Sequence, residues 1–151
     1  MDSAHMTIDT QLLIGSSFEV GQEAREHILN PRTGGLILEV PEASTAQVDR
    51  AVAAARKAFD GWSRTTPAER SAALLRIADR VEAEADSFAA LEALNCGKPI
   101  NAARNDEIPA IVDCYRFFAG AVRCQHGAVA GEYLAGHTSM IRRDPIGVVA
   151  S

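Results

Sequence analysis

The apolar run near the end of the chain, Ile146–Ala150, constrains the fold more than any other feature. Its residues are β-branched or small, and no polar side chain alternates with them. Such a run is typical of a strand buried on both faces, as in a parallel sheet covered by helices. A first strand of that kind needs partner strands, and the sequence stops at Ser151. We therefore expect an α/β fold, and we expect these residues to be the front of a longer protein.

Length and composition narrow the class of protein. The chain has 151 residues, of which 47% are hydrophobic and 23% charged, and this balance is typical of one globular domain. A formal net charge of −5 disfavours binding to nucleic acid or to an anionic membrane surface. No stretch of about 18 apolar residues predicts a membrane-spanning helix, and no secretory signal opens the chain. We expect a cytoplasmic protein without nucleic-acid or membrane partners.

Cysteine and histidine are too few and too scattered for a disulfide or zinc framework. The three cysteines show no C-x-x-C spacing, and the four histidines match no metal-binding pattern. Cys96 falls at the C-terminal end of a predicted helix, where the dipole disfavours a thiolate. Cys114 and Cys124 fall inside another predicted helix, so packing explains all three better than catalysis does. Glycine-rich phosphate-binding motifs are also absent from the sequence.

Two β hairpins are predicted in the first forty residues. The first pairs residues 11–14 with 18–20, and Gly15 at the first turn position suits a tight turn. The second pairs residues 25–29 with 36–40 around a turn that contains an Asn-Pro pair and two glycines. Both hairpins precede the first predicted helix.

Two amphipathic helices follow, and a third comes later. The first begins behind a capping box of Ser44 and Gln47 and ends near Asp60. The second begins with Thr66 as its cap and ends in the segment 95–99, with Gly97 near its C′ position and Pro99 beyond it. Apolar residues at helical spacing predict the buried face of each helix. Helix by helix, they are Val48, Ala51, Val52, Ala55, Phe59 and Trp62; Leu74, Leu75, Ala78, Val81, Ala85, Phe88, Ala89 and Leu94; and Ile108, Ile111, Val112, Tyr115, Phe118, Ala119 and Val122.

The third helix is predicted to begin at a cap near Asn105 or Asp106. Pro109 then lies in its first turn, where a missing amide proton costs little. Two strands, over residues 129–134 and 137–143, follow this helix. The residues taken alone thus indicate a soluble α/β fragment and leave its function open.

Several motifs occur together in the order and spacing seen in NAD(P)-dependent aldehyde dehydrogenases. They are Asn30-Pro31-x-Thr33-Gly34, the helix Val48–Trp62, Arg70, Gly97-Lys98-Pro99, Arg116-Phe117-Phe118-Ala119-Gly120 and Arg143-x-Pro145-x-Gly147-Val148-Val149. Each is weak alone, but the set stays in register over about residues 10–151, so the chain resembles this family. Within the family, residues 95–99, 105–113 and 131–145 resemble the γ-aminobutyraldehyde dehydrogenases of putrescine degradation.

The resemblance implies an aldehyde-dehydrogenase-like α/β fold. It makes residues 10–126 the N-terminal part of a Rossmann-like cofactor-binding domain, and residues 1–9, which precede the resemblance, are predicted to be a disordered N-terminus. Residues 127–145 correspond to the first ribbon of a β oligomerisation arm, and residues 146–151 to the start of a buried strand of the cofactor domain. The arm implies a homo-oligomer, either a dimer or a tetramer.

The resemblance also implies a reaction. In the family a Cys thiolate attacks the aldehyde, the adduct passes hydride to NAD, and a Glu-activated water hydrolyses the thioester. The family places these groups and the cofactor turn beyond Ser151, so no catalytic and no cofactor-binding residue is assigned here. NAD is expected to be bound mainly by those later residues. The expected activity of the longer protein is oxidation of 4-aminobutanal to 4-aminobutanoate.

Two alternatives stay open. In the first, the enzyme oxidises betaine aldehyde or another ω-aminoaldehyde instead of 4-aminobutanal. This alternative is open because substrate choice depends largely on residues outside this sequence. In a different class of function, the 151 residues are a catalytically inactive truncated product that acts only as an assembly segment. The missing catalytic groups favour that reading for these residues alone. The unfinished apolar sheet edge, which would promote aggregation, favours the enzyme for the natural protein.

A substrate-binding site follows by position from the resemblance. In aminoaldehyde enzymes, acidic residues at the start of the third helix meet the substrate ammonium. The matching acids are Glu107 and Asp106, with Ala110 and Ile111 as the wall of the entrance. A short cationic substrate needs such a carboxylate nearby, although both acids also suit the positive end of a helix.

A cation site also follows from the resemblance. Many family members hold a monovalent cation through backbone carbonyls. The matching positions are Ile28, Leu29 and Asn95, and related sequences often carry Asp in place of Asn95.

Overall fold

The structure is a computed structural model that describes residues 8–125, 127 and 129–151. Its elements are, in order, β1 (Leu12–Ile14), β2 (Ser17–Glu19), β3 (Arg25–Leu29), β4 (Leu36–Pro41), α1 (Thr45–Trp62), α2 (Pro67–Ala83), α3 (Ala85–Cys96), α4 (Ile100–Ala102), a π-helical turn (Ala103–Glu107), α5 (Ile108–Ala121), a 3₁₀ turn (Val122–Cys124), β5 (Val129–Leu134) and β6 (His137–Met140). Most of the predicted disordered N-terminus, residues 1–7, lies outside the described residues, and so does residue 126. None of the described helices is long and apolar enough to cross a membrane.

The described strands form three separate antiparallel hairpins. In the β1–β2 hairpin, Ile14 pairs with Ser17, and Gly15 in the intervening turn has a φ of 65°, which glycine adopts without strain. The β3–β4 hairpin also lies where the sequence predicts it, and its register shifts between Ile28 and Leu29. Such a shift marks a β-bulge. The β5–β6 hairpin is confirmed too, with a shorter second strand than predicted.

The chain divides into two compact units. One contains the described residues up to Asp60 together with Leu94–Gly97 and Val148–Ser151, and the other contains Gly61–Ala93 and Lys98–Gly147. A hydrophobic core in the second unit joins small and branched side chains of α2, α3, the π-helical turn and α5. Its buried members are Ala78, Ala89, Ala103, Ile108 and Val112.

Gln47 in the first turn of α1 is fully buried within the first unit. Its Oε1 accepts hydrogen bonds from the backbone N–H groups of Gln22 and Ser44, each at 3.0 Å. Its Nε2 donates to the carbonyl oxygen of Val20 at 2.9 Å. The bond from Ser44 belongs to the predicted capping box, which is confirmed. The other two tie the start of α1 to the segment that follows β2.

The second predicted helix is two helices. It begins as predicted, because Glu69 Oε2 accepts from the Thr66 N–H at 2.7 Å while Thr66 Oγ1 accepts from the Glu69 N–H at 3.3 Å. The helix breaks at Glu84, where φ is −107° and ψ is 18°, and α3 then continues to Cys96. The prediction of one continuous helix is wrong, but its predicted end is confirmed, because Gly97 directly follows α3 with a φ of 71°. The spacing of apolar residues identifies the buried face of a helix, but it does not reveal a single non-helical residue between two helices.

The helical stretch that ends in α5 begins earlier than predicted. The N–H of Ile108 bonds to the carbonyl of Ala103, which is the five-residue spacing of a π-helix. Pro109 has no N–H, and in a regular α-helix its ring clashes with the carbonyl four residues earlier. The π-helical turn directly before Pro109 accommodates the proline within a continuous helical stretch. Asn105 and Asp106 lie inside that stretch, so the predicted helix cap there is wrong.

The helical periodicity is confirmed, but much of the predicted burial is wrong. Five of the predicted core residues are buried, namely Ala78, Ala89, Ile108, Val112 and Ala119. Larger members of the same stripes are exposed, namely Val48, Val52, Trp62, Leu75, Phe88, Ile111 and Phe118. An amphipathic face is buried only where another element packs on it. The part of the chain that the structure describes leaves these side chains accessible to solvent.

The end of the chain differs from its prediction. Residues 146–151 form no strand, and Ile146 is 98% exposed. A strand requires a hydrogen-bonded neighbour, and no described strand pairs with this segment. The cysteines differ too, since Cys96, Cys114 and Cys124 are exposed. Packing therefore does not explain them here.

Candidate functional site

Lys98 lies between two carboxylates in the second compact unit. Gly97, with a φ of 71°, turns the chain after α3, and Lys98 and Pro99 then lead into α4. The lysine Nζ lies 2.5 Å from Oε1 of Glu107 in the π-helical turn and 3.2 Å from Oε1 of Glu92 in α3. All three side chains are partly buried. Through these two ion pairs the lysine connects α3 to the π-helical turn.

The two carboxylates raise the pKa of Lys98 above its ordinary value. The hydrogen bond to Glu107 has the largest effect and the bond to Glu92 the next largest, while partial burial acts in the opposite direction. The amine is therefore fully protonated at neutral pH. Two carboxylates and one ammonium give the cluster one net negative charge.

The two acids predicted to bind substrate have different surroundings. Glu107 is paired with Lys98, whereas Asp106 is exposed and forms no ion pair with the described residues. Ala110 and Ile111 are exposed in the first turn of α5, directly after both acids. The four predicted residues therefore share one helical stretch, which offers one unpaired carboxylate and two apolar side chains.

No spacing rule predicts the contact between Lys98 and its carboxylates. Glu92 and Glu107 lie six and nine residues from Lys98, and neither spacing places side chains together on a regular helix. The contact depends on the helix ending before Gly97 and on the π-helical turn beyond α4. Gly97 and Lys98 lie in a turn after α3, but a turn in the sequence does not predict which groups the lysine amine contacts.

The positions predicted to hold a cation belong to the first compact unit. The β-bulge between Ile28 and Leu29 interrupts regular pairing of the backbone. Asn95 lies in the last turn of α3, where carbonyl groups lack helical partners and carry partial negative charge. The cation site at these positions stays a prediction. Side chains offer no comparable site, because the described residues contain no group of three His, Cys, Asp or Glu that could hold a metal ion.

Comparison with known proteins identifies the family. The model of the aldehyde dehydrogenase family matches residues 18–151, and the chain belongs to this family. The predicted aldehyde-dehydrogenase-like α/β fold is confirmed by solved structures of the family. The structure and the comparisons leave the predicted domain boundaries as predictions.

Three similar proteins illustrate the relationship. A probable aldehyde dehydrogenase of Mycobacterium tuberculosis is 44% identical over 100 residues, which are 66% of this chain and 20% of that protein. The NADP/NAD-dependent aldehyde dehydrogenase PuuC of Escherichia coli is 33% identical over 149 residues, 97% of this chain and 30% of that protein. The indole-3-acetaldehyde dehydrogenase AldA of P. syringae, solved in complex with NAD+ and IAA, has a TM-score of 0.87 at 29% identity and covers 95% of this chain and 29% of that one. The chain thus spans 20% to 30% of the length of these relatives.

Proposed function

We propose that the chain is the N-terminal segment of an NAD-dependent aldehyde dehydrogenase that oxidises 4-aminobutanal to 4-aminobutanoate. Family membership supports the reaction class, and the NAD+ complex of AldA supports the cofactor. The observation that carries the substrate is the pairing of Lys98 with Glu107, an ammonium bound to a carboxylate at 2.5 Å. That pair supports the proposal because it places a primary ammonium against a carboxylate of this helical stretch.

The chain's own residues bind the charged end of the substrate in this proposal. Asp106 supplies the unpaired carboxylate, and Glu107 adds negative charge that Lys98 partly offsets. Ala110 and Ile111 contact the methylene groups between the ammonium and the aldehyde. Charge-assisted hydrogen bonds are stronger than neutral ones, so these residues favour a cationic aldehyde over a neutral aldehyde of the same length.

The cofactor and the reacting groups belong to the remainder of the proposed enzyme. NAD, when bound, accepts hydride from the aldehyde carbon. No described residue is assigned to it, in keeping with the absence of a glycine-rich phosphate motif from this sequence. The role of the described segment is to bind and orient the substrate amine.

We extend the proposal to assembly and to a cation. The β5–β6 hairpin corresponds to the arm through which the enzyme forms a homodimer or homotetramer, and the assembly works in the cytoplasm. The carbonyl groups of Ile28, Leu29 and Asn95 hold a monovalent cation. The bulge in β3 and the carboxyl end of α3 support that assignment.

The test begins with the protein expressed from its own gene. Its intact mass is measured first, and NADH formation is then followed with 4-aminobutanal and with pentanal, in which a methyl group replaces the ammonium. We expect a preference for 4-aminobutanal. We expect Asp106→Asn to lower kcat/KM for that substrate about fivefold, since an exposed charged hydrogen bond contributes about 1 kcal/mol. Asp49→Asn, at an exposed acid in α1, is the matched control and should change neither substrate.

Three results would contradict the proposal. Equal kcat/KM for the two aldehydes removes the role of the ammonium. A preference for trimethylammonium aldehydes, which have no N–H donor, indicates a betaine-aldehyde enzyme instead. A mass near 16 kDa without NADH formation indicates the inactive assembly segment.

A further inference from the structure

Lys98 occupies Glu107, the second of the two acids that the proposed function places at the substrate ammonium. Its Nζ lies 2.5 Å from Glu107 Oε1, and a substrate ammonium brings the same charge and the same N–H donors. Two ammonium groups at one carboxylate compete, because like charges repel at that distance. We propose that Lys98 is a specificity-determining residue, which sets the preference between cationic and neutral aldehydes by occupying Glu107. This inference rests on the proposed function.

Glu92 controls how strongly Lys98 occupies Glu107. The amine lies 3.2 Å from Glu92 Oε1, farther than from Glu107, so it divides its hydrogen bonds between two acids. Without the charge of Glu92, the lysine is bound by Glu107 alone and blocks it more completely. Without the charge of Lys98, Glu107 is free for substrate. The two substitutions therefore shift substrate preference in opposite directions, whereas a general loss of packing would shift both alike.

The geometry of the helical stretch makes Glu107 reachable for both ammonium groups. Glu107 lies directly before Ile108, which is buried in the core of the second unit, so its backbone is fixed. Its side chain is 40% exposed, which leaves part of the carboxylate open to a ligand. Lys98 comes from the loop before α4, where Pro99 and Gly97 restrict the backbone. The position of the competing charge is thus set by the fold.

The experiment uses the full natural enzyme and compares kcat/KM for 4-aminobutanal with kcat/KM for pentanal. We expect Lys98→Met, which keeps side-chain length and removes the charge, to raise this ratio about two- to fivefold. The change should appear in KM for 4-aminobutanal, with kcat for both aldehydes preserved. Glu92→Gln should lower the ratio by a smaller factor. Lys98→Arg, which retains the charge, should return the ratio to within about twofold of the parent value.

The inference is overturned if Lys98→Met leaves the ratio unchanged or lowers it, or if it reduces activity toward both aldehydes equally. Where Lys98→Met does not fold, Glu92→Gln decides alone: a lower ratio supports the inference, and an unchanged or higher ratio overturns it. Failure of the proposed function has a different signature, because the unsubstituted enzyme itself then shows no preference for 4-aminobutanal over pentanal. A preference in the parent enzyme with no response to either substitution overturns the role of Lys98 and leaves the proposed function intact.

Discussion

Replacing Gln47 with Met should loosen the junction between α1 and the segment after β2. The substitution keeps the length of the side chain and removes its amide. The backbone N–H groups of Gln22 and Ser44 then lose the oxygen that lies 3.0 Å from each, and the carbonyl of Val20 loses a donor at 2.9 Å. All three groups depend on one side chain that is fully buried.

The size of the effect follows from the number of groups left unpaired. A buried donor or acceptor without a partner costs about 1–3 kcal/mol. Gln22 and Val20 are themselves exposed residues, so water replaces part of each lost bond and about 1 kcal/mol per group is the better value. Three groups then give about 2–3 kcal/mol, which corresponds to a factor of roughly 30–140 in the local opening equilibrium.

Hydrogen exchange measured by mass spectrometry checks this prediction. Peptides covering residues 20–24 and 42–46 should exchange faster by that factor in Gln47→Met than in the parent protein. Gln11→Met, at an exposed glutamine before β1, should leave both peptides unchanged. Faster exchange at Ser44 alone reduces the role of Gln47 to a helix cap. Unchanged exchange in both peptides refutes the claim that Gln47 holds the start of α1 to the segment after β2.

Two further predictions concern the backbone and pH. A Cβ on Gly21 would lie 2.1 Å from the carbonyl oxygen of Pro41, so Gly21→Ala should lower the melting temperature. At Gly61 an added Cβ would meet no atom within 4 Å, so Gly61→Ala should instead raise the free energy of unfolding by up to about 1 kcal/mol. Melting temperatures that change in the same direction in both variants would contradict this reasoning. The backbone N–H of Thr66 and then its hydroxyl lower the pKa of Glu69 from its ordinary 4.5. Stabilisation of the start of α2 is therefore complete above pH 4.5 and is lost as the pH falls through the lowered value. Hydrogen exchange of that turn, corrected for intrinsic rates, should show this loss in the parent protein and not in Glu69→Gln.

Elements whose signals are local could be predicted from the sequence. The hairpin at Gly15 and the helix starts at Ser44 and Thr66 each depend on residues within four positions of one another, and each has the predicted geometry. Pro109 is compatible both with the first turn of a helix and with a π-helical turn inside one. Its local sequence does not distinguish the two. The break at Glu84 has no sequence signal of its own.

Burial and the site were less predictable because they depend on distant contacts. The apolar stripe that contains Val48 and Trp62 has helical spacing, yet both side chains are exposed. Asp106 and Glu107 could be placed on one helical stretch by resemblance to the family. The tertiary structure determines that Lys98 binds Glu107 and leaves Asp106 unpaired. The spacing of these residues along the chain does not predict this pairing.

Because of the π-helical turn, the packing of the fold depends more on the number of residues before α5 than on their identity. Each residue of an α-helix rotates the chain by about 100° around the helix axis. The turn at Ala103–Glu107 contains one residue more than an α-helical turn, so a deletion there would rotate everything before it by about one such step. The buried stripe of α5 would keep its neighbours, while Ala103 would leave the core and Lys98 would lose Glu107. The fold of this segment therefore tolerates exchange of its exposed side chains, whereas the deletion of a single residue disrupts it.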